Sequence, residues 1–241
     1  MGKARSEAQF FGRITSELIK QPNLELRTIG FVRDQLPAWR NDPGRRHEES
    51  ENKLNLQLCK FLNSRAQNVF GMVRFNHQEY QSGRSTVDLS ASPTEATLIG
   101  ARLYTIYDPF LVLEGKRLPA PRSDRKKEYV TGGKDTTGGI QRFKLGLHGA
   151  DFSLAAMIGY VQEKTTRHWH GQINKWISEL ASGEQAEECP WTDEEALKQF
   201  EEDLPKGVAT CHSHHSRTGG KSSDKIELHH LWIQMDRRIQ T

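Results

Sequence analysis

A mixed α/β sheet flanked by helices is the fold class the sequence predicts, and three observations carry it. Several short runs, "MVRFNHQEY", "STVDLSAS", "FLVLEGKRL" and "SLAAMIGYV", are apolar or alternating and rich in residues that suit a pleated surface. Between and around them lie segments with apolar residues at helical spacing. From residue 46 the order is helix, three strands, helix, strand, then a helical pair and two further strands, and strands alternating with helices in this way build a mixed sheet. At 241 residues the chain has room for one α/β domain, expected over 46–241 with its core in 46–162, preceded by an N-terminal helix and connector over 1–45.

Residues 5–20 place Phe10, Phe11, Ile14 and Leu18 at helical spacing, so a short amphipathic helix is expected there. "NLELRTIGFV" reads as a strand and "DQLPAWRNDPGRR" as a turn-rich connector. In "HEESENKLNLQLCKFLNSRA", Leu54, Leu58, Phe61 and Leu62 share a stripe, with Glu51 near its buried edge. Three strands follow, the second and third joined by the long connection "PTEATLIGARLYTIYD". After the Gly-rich "YVTGGKDTTGG" comes a short helix, "IQRFKLGLHG", stopped by Gly149, and then the apolar strand "SLAAMIGYV". "WHGQINKWISELA" and "TDEEALKQFEEDL" read as a helical pair, the second begun by Thr192 or Asp193. The strands "GVATCHSHH" and "IELHHLWIQM" close the chain around the loop "SRTGGKSSD".

Composition narrows the possible settings. Hydrophobic residues make up 35% and charged residues 27%, without the bias of long disordered regions. The longest mostly apolar run, "FSLAAMIGYV", falls well short of the roughly 20 residues a membrane helix needs, so no membrane partner is expected. Cys59, Cys189 and Cys211 form no paired spacing, and the N-terminal stretch has no signal-peptide core; a reducing, cytoplasmic setting is the expectation. The net charge of +3 hides an asymmetry: residues 115–145 hold nine Lys and Arg against three acids, whereas 184–203 hold nine acids against Lys198 alone. The basic stretch suits a polyanion, and the acidic one is expected on the far side as a solvated surface.

The chemistry concentrates in "DPFLVLEGKRLP". The strand begins with Phe110 to Leu113 and then spends Glu114 and Lys116, which alternation puts on one face, where apolar residues would otherwise stand. Asp88 lies within the preceding strand, and sequential strands usually pair, so Asp88 and Glu114 are expected to converge. Two carboxylates held close repel unless a cation separates them, and oxygen-only donors suit Mg²⁺, which takes one or two protein carboxylates together with phosphate oxygens. Lys116 would sit beside them, placed to orient a water and to stabilise charge on a phosphate. Asp108, ahead of Pro109, is the rival acid.

Asp88 followed by Glu114-Gly115-Lys116 at the end of an apolar strand, with Glu51 on the helix before and Gln141 on the helix after, resembles the PD-(D/E)XK nuclease superfamily. The resemblance implies a restriction-endonuclease-like core (αβββαβ). No proline precedes Asp88, and the Asp88 to Glu114 interval is long. The resemblance further implies Asp88, Glu114, Lys116 and Gln141 as catalytic residues, with Glu51, Asp88 and Glu114 holding Mg²⁺, for which Mn²⁺ can substitute. It implies a DNA-cleaving enzyme of restriction, repair or defence against foreign DNA, acting as a homodimer or within a larger complex. Nucleic acid is then expected along Arg117, Arg122, Arg125, Lys126, Lys127, Lys134, Arg142 and Lys144. The alternative is a non-catalytic nucleic-acid-binding or assembly subunit that keeps the fold.

The histidines near the C-terminus offer a second metal chemistry. Cys211, His212, His214, His215, His229 and His230 fall on two neighbouring strands, but alternation sends Cys211 and His215 one way and His212 and His214 the other. No pair shows the close spacing common in structural zinc sites, so these residues read as polar positions on a late sheet edge.

Overall fold

The computed structural model describes residues 23–48, 50–81, 85–183, 188–218 and 224–236; the helix expected over 5–20 lies outside them. The protein is mixed α/β. Its main sheet has seven strands in the spatial order β1 (Val73–Tyr80), β2 (Thr86–Pro93), β5 (Leu111–Leu118), β6 (Leu154–Val161), β9 (Lys225–Gln234), β8 (Val208–Ser216) and β7 (Lys198–Asp203). β1, β2 and β5 pair antiparallel, β5, β6 and β9 parallel, and β9, β8 and β7 antiparallel again. The remaining strands, β3 (Thr97–Ile99) and β4 (Arg102–Tyr104), form a small hairpin inside the connection from β2 to β5.

Helices cover both faces. On one side, α1 (Leu24–Asn41) and α2 (Glu51–Val69) bury Leu24, Val32, Leu36, Trp39, Leu54, Leu58 and Leu62 against Leu89, Leu113, Ile158 and Ile233. On the other, α3 (Gly139–Lys144) and α4 (Thr166–Ser182) set Ile140, Phe143, Ile173 and Ile177 against Val112, Met157, Leu228 and Trp232. Burying side chains of this size from water supplies roughly 1.5–3 kcal/mol each, which fixes the strands that carry the charged residues. No helix among the described residues is long and apolar enough to cross a membrane.

Three segments differ from expectation. Residues 24–33 are helical, not a strand, and the helix runs through the expected connector to Asn41. Leu24, Ile29, Val32, Leu36 and Trp39, with Thr28 donating to Leu24 O, follow the helical period and are all buried, and Pro37 is accommodated inside the helix. The expected boundary at residue 46 therefore falls between two helices packed in the same core.

"TDEEALKQFEEDL" is not a helix. Thr192 and Glu195 cap a single 3₁₀ turn, Glu195 is drawn inward, and Lys198–Asp203 pairs with β8 as the outer strand. Among the described residues, the part after β6 thus has one α-helix and three strands. Charges on β7, among them three of the nine acids of that stretch, shield the open sheet edge. Finally, the short helix after the Gly-rich loop ends at Lys144, before Gly146 adopts a φ of 66°, and not at Gly149.

Candidate functional site

The β2–β5 ladder ends at the pair Leu89–Leu113. One residue further on, Asp88 Oδ2 accepts the backbone N–H of Gly115 at 2.9 Å, so a side chain takes over where a backbone carbonyl would have continued the ladder. The two strands part at this point, and the charged residues gather there. Glu114 and Lys116 lie on the α3 side, with Gly115 facing α2: a Cβ at Gly115 would stand 2.0 Å from Asn55 Oδ1, which accepts from Tyr160 Oη at 2.6 Å. Glycine between the two charges is therefore a steric requirement of the α2 contact.

Lys116 is 5% exposed and Glu114 1%. The ammonium contacts Glu114 Oε1 at 3.0 Å and donates to Glu51 Oε1 at 2.7 Å, and Glu51 Oε2 accepts the N–H of Arg117 at 3.2 Å. Glu51 is the first residue of α2, where the helix N-terminus favours an acid. Arg142 Nη1 stands 3.6 Å from Glu114 Oε1. Three carboxylates, Asp88, Glu114 and Glu51, thus surround one ammonium, with a guanidinium at the rim.

The imbalance appears in the protonation tendencies. Burial would raise the Glu114 carboxyl, but Lys116, His148 and Arg142 outweigh it and hold the group well below the usual carboxylate range. Asp88 goes the other way: burial, then repulsion from Glu114, and with it Glu51, push its pKa well above the usual range against the pull of Lys116. Burial would lower Lys116, yet Glu114, Glu51 and Asp88 raise it, so the amine stays charged. One carboxylate in the cluster is short of positive charge, and it is Asp88.

The structure brings Glu51, Asp88, Glu114 and Lys116 together. The rival Asp108 is engaged elsewhere, its Oδ2 accepting from Thr105 N at 2.8 Å and from Thr105 Oγ1 at 2.6 Å in a turn. Gln141 does not reach the carboxylates: its Oε1 accepts from Gly132 N and its Nε2 donates to Gly133 O, both at 2.9 Å, which ties the Gly-rich loop to α3.

The basic stretch divides. Lys126 and Lys134 are exposed, Arg122 and Arg125 are exposed but paired with Asp124 and Glu128, and half-buried Lys127 meets Glu179. Arg117 is half-buried beside a cleft of about 560 Å³ lined also by Arg45, His47, Pro119 and Glu163. Lys144 corrects the expectation: it is buried, ion-paired with Glu195 and set over the Trp191 ring, so it presents no surface charge.

His148 is one residue that sequence reasoning missed. It is fully buried, its Nδ1 lies 3.2 Å from Glu114 Oε2 off hydrogen-bond alignment, and neither ring nitrogen has a hydrogen-bond partner among the described residues. A lone histidine just past a short helix gives no periodic signal; the turn after α3 brings it back over β5. Glu128 was also unforeseen: it is buried, and burial raises its pKa against the attraction of Lys116.

Among the described residues, no three His, Cys, Asp or Glu side chains already converge as an ion's ligand set. Chemically, the cluster offers hard oxygen donors, a fixed ammonium and a guanidinium at one point. No protein-family profile, curated protein or solved structure matches this chain.

Proposed function

We propose that the chain is a Mg²⁺-dependent nuclease of the restriction-endonuclease-like, PD-(D/E)XK kind, which hydrolyses phosphodiester bonds of DNA in a cytoplasmic setting. The observation that carries this reading is the convergence of Asp88, Glu114, Lys116 and Glu51 where β2 and β5 part. The order α2, β1, β2, β5, α3, β6 supports it, being the order of that family's core.

The residues fit a divalent ion by their chemistry. Mg²⁺ takes one or two carboxylates and leaves other positions to water and phosphate, so Asp88 and Glu114 suffice, with Glu51 nearby. Burial first, and then repulsion from Glu114, raise the Asp88 pKa, and a divalent cation beside it would offset both. Mn²⁺, which accepts the same donors, would substitute. When bound, the ion would supply charge neutralisation at the phosphate and activation of water.

The chain's own groups supply the rest. Lys116, locked between Glu114 and Glu51, orients the attacking water and stabilises negative charge at phosphorus. Arg142 adds a second cation at the rim. Gln141 shapes the Gly-rich loop and does not touch the reacting atoms. Lys126, Lys134, Arg122 and Arg125 offer phosphate contacts, and cleavage of both strands calls for a homodimer or a larger assembly.

A second reading, a non-catalytic nucleic-acid-binding subunit with this fold, is favoured by one observation: Lys116 is nearly inaccessible and already engaged by two carboxylates. The purified chain, incubated with supercoiled plasmid, linear duplex and single strands in Mg²⁺ or in chelator, separates the two. Cleavage that needs the metal and disappears in Asp88→Asn and Glu114→Gln supports the enzyme. Binding without cleavage under every condition selects the subunit.

A further inference from the structure

Strand alternation divides the C-terminal histidines into two sets, and the sheet gives each set a different surrounding. Cys211, His215 and His230 point into the α4-side core. His212, His214, His229 and Glu227 share the opposite face, where His212 pairs directly with His229 and His214 with Glu227. The four residues form a two-by-two grid. β8 and β9 are interior strands, flanked by β7 and β6, so the sequence-based placement on a sheet edge does not hold and the grid's Cβ positions are fixed on both sides.

The side chains lean towards one another. His229 Nε2 lies 2.8 Å from Glu227 Oε1 without hydrogen-bond alignment, and His214 Nε2 lies 3.8 Å from Glu227 Oε2. The His212 ring is 5.4 Å from that of His214 and 6.4 Å from that of His229. Ligands of a tetrahedral zinc, bound at about 2.0–2.1 Å, have donor atoms about 3.3 Å apart, and the two Glu227 contacts straddle that value. The His214 side chain is 57% exposed, so rotation about its side-chain bonds meets little packing. Two histidines at i and i+2 of one strand, with a third opposite on the next, is an arrangement that presents three imidazoles to one point above a sheet. Leu154 and Ala156 of β6, paired with Glu227 and His229, give the grid an apolar flank.

We propose that His212, His214, His229 and Glu227 form a binding site for one Zn²⁺, or a similar borderline d-block dication, that clamps the β8–β9 hairpin. Three imidazole nitrogens and one carboxylate oxygen select such an ion over Mg²⁺, which prefers oxygen and water. With four protein ligands the site is closed, so the ion is structural and separate from the carboxylate cluster at β5.

The test uses the full chain without a histidine tag, stripped by chelator and titrated with Zn²⁺ against a chromophoric competitor, with Co²⁺ as the spectroscopic probe. One equivalent of Zn²⁺ is expected, with the intense visible absorption of tetrahedral Co²⁺, unmoved by excess Mg²⁺. His214→Ala and His229→Ala should each weaken uptake by at least about tenfold, whereas the exposed His168→Ala should not. His214→Ala, at a solvated position, should keep the far-ultraviolet dichroism of the parent and so separates lost ligation from lost fold. Zn²⁺ uptake unchanged in His214→Ala, uptake abolished instead by Glu114→Gln, or only the weak absorption of octahedral Co²⁺ would overturn the site.

Discussion

Two buried clusters in this protein are built from similar parts and balanced differently. Both pair a lysine with a glutamate beside a buried histidine: Lys116, Glu114 and His148 at the end of β5, and Lys144, Glu195 and His215 under β8. The second is nearly closed. Glu195 Oε1 takes Lys144 and the Ser216 N–H, and the capping box uses its other oxygen. From His215 a chain of hydrogen bonds runs through Ser213, His230 and Tyr129 to Trp232, at 2.7, 2.8, 2.8 and 2.8 Å. Indole can only donate, so Trp232 donates to Tyr129, while the direction of the links at His230 and His215 follows their tautomers. Burial pushes the pKa of both histidines down, well down for His230, in keeping with neutral rings. The first cluster has two further carboxylates, a histidine with no hydrogen bond among the described residues and an elevated Asp88. A largely paired network, in which only His215 Nδ1, 3.7 Å from Glu195 Oε1, lacks a hydrogen bond among the described residues, stabilises a fold; an over-acidic one is held in place by the fold around it and is where chemistry is to be sought.

The sharpest break of this comparison is Lys144→Ala. It strands a buried carboxylate and should cost about 3–5 kcal/mol of stability, read from urea unfolding, with no change in the Mg²⁺ dependence of any cleavage by the surviving folded protein. Lys116→Ala should lower the cleavage rate by about 10²–10³; a near-parental single-turnover rate would remove Lys116 from the mechanism. His148→Gln, which leaves Glu114 without its imidazole neighbour, should raise the Mg²⁺ concentration for half-maximal rate by about tenfold.

Asp88→Asn inverts the usual sign. Relieving the repulsion should abolish cleavage yet raise stability in chelator by about 1 kcal/mol. Because the folded state raises the Asp88 pKa, the stability Asp88 contributes is present below the usual aspartate range and lost as pH rises through the elevated value. Glu114, depressed, contributes stability above the usual glutamate range that is lost on acidification through its lowered pKa. Unfolding midpoints from mildly acid to neutral pH should therefore fall more in the parent than in Asp88→Asn, and parallel curves would refute the assignment. The smallest effect is expected at the surface: replacing Lys126 and Lys134 by alanine should reduce the salt slope of DNA binding by about two, whereas Lys144, being buried, has no such share.

Much of this was legible in the chain. The apolar runs located β1, β2, β5, β6, β8 and β9, and the stripe through Leu54, Leu58 and Leu62 located α2, because burial of a periodic face is what stabilises each element. The break in the β5 run at Glu114 and Lys116 singled out the site, since charge in a core strand is costly without a partner. Residues 24–41 were misjudged where the helical period spanned a proline, and 192–204 where capping signals outlasted the helix they began.

The sequence by itself determined the strand and helix periods, the cluster's charge types and the glycine between them, because these depend on neighbours a few positions away. Tertiary structure alone decided that β2 and β5 part at Asp88, that His148 returns to Glu114, that Gln141 serves the loop and that Lys144 is internal. These are contacts between residues distant in the chain, and they depend on strand order and register, which alternation does not encode. The same holds for the His212, His214, His229 and Glu227 grid: alternation puts each pair on a face, and only the β8–β9 register sets the pairs opposite one another.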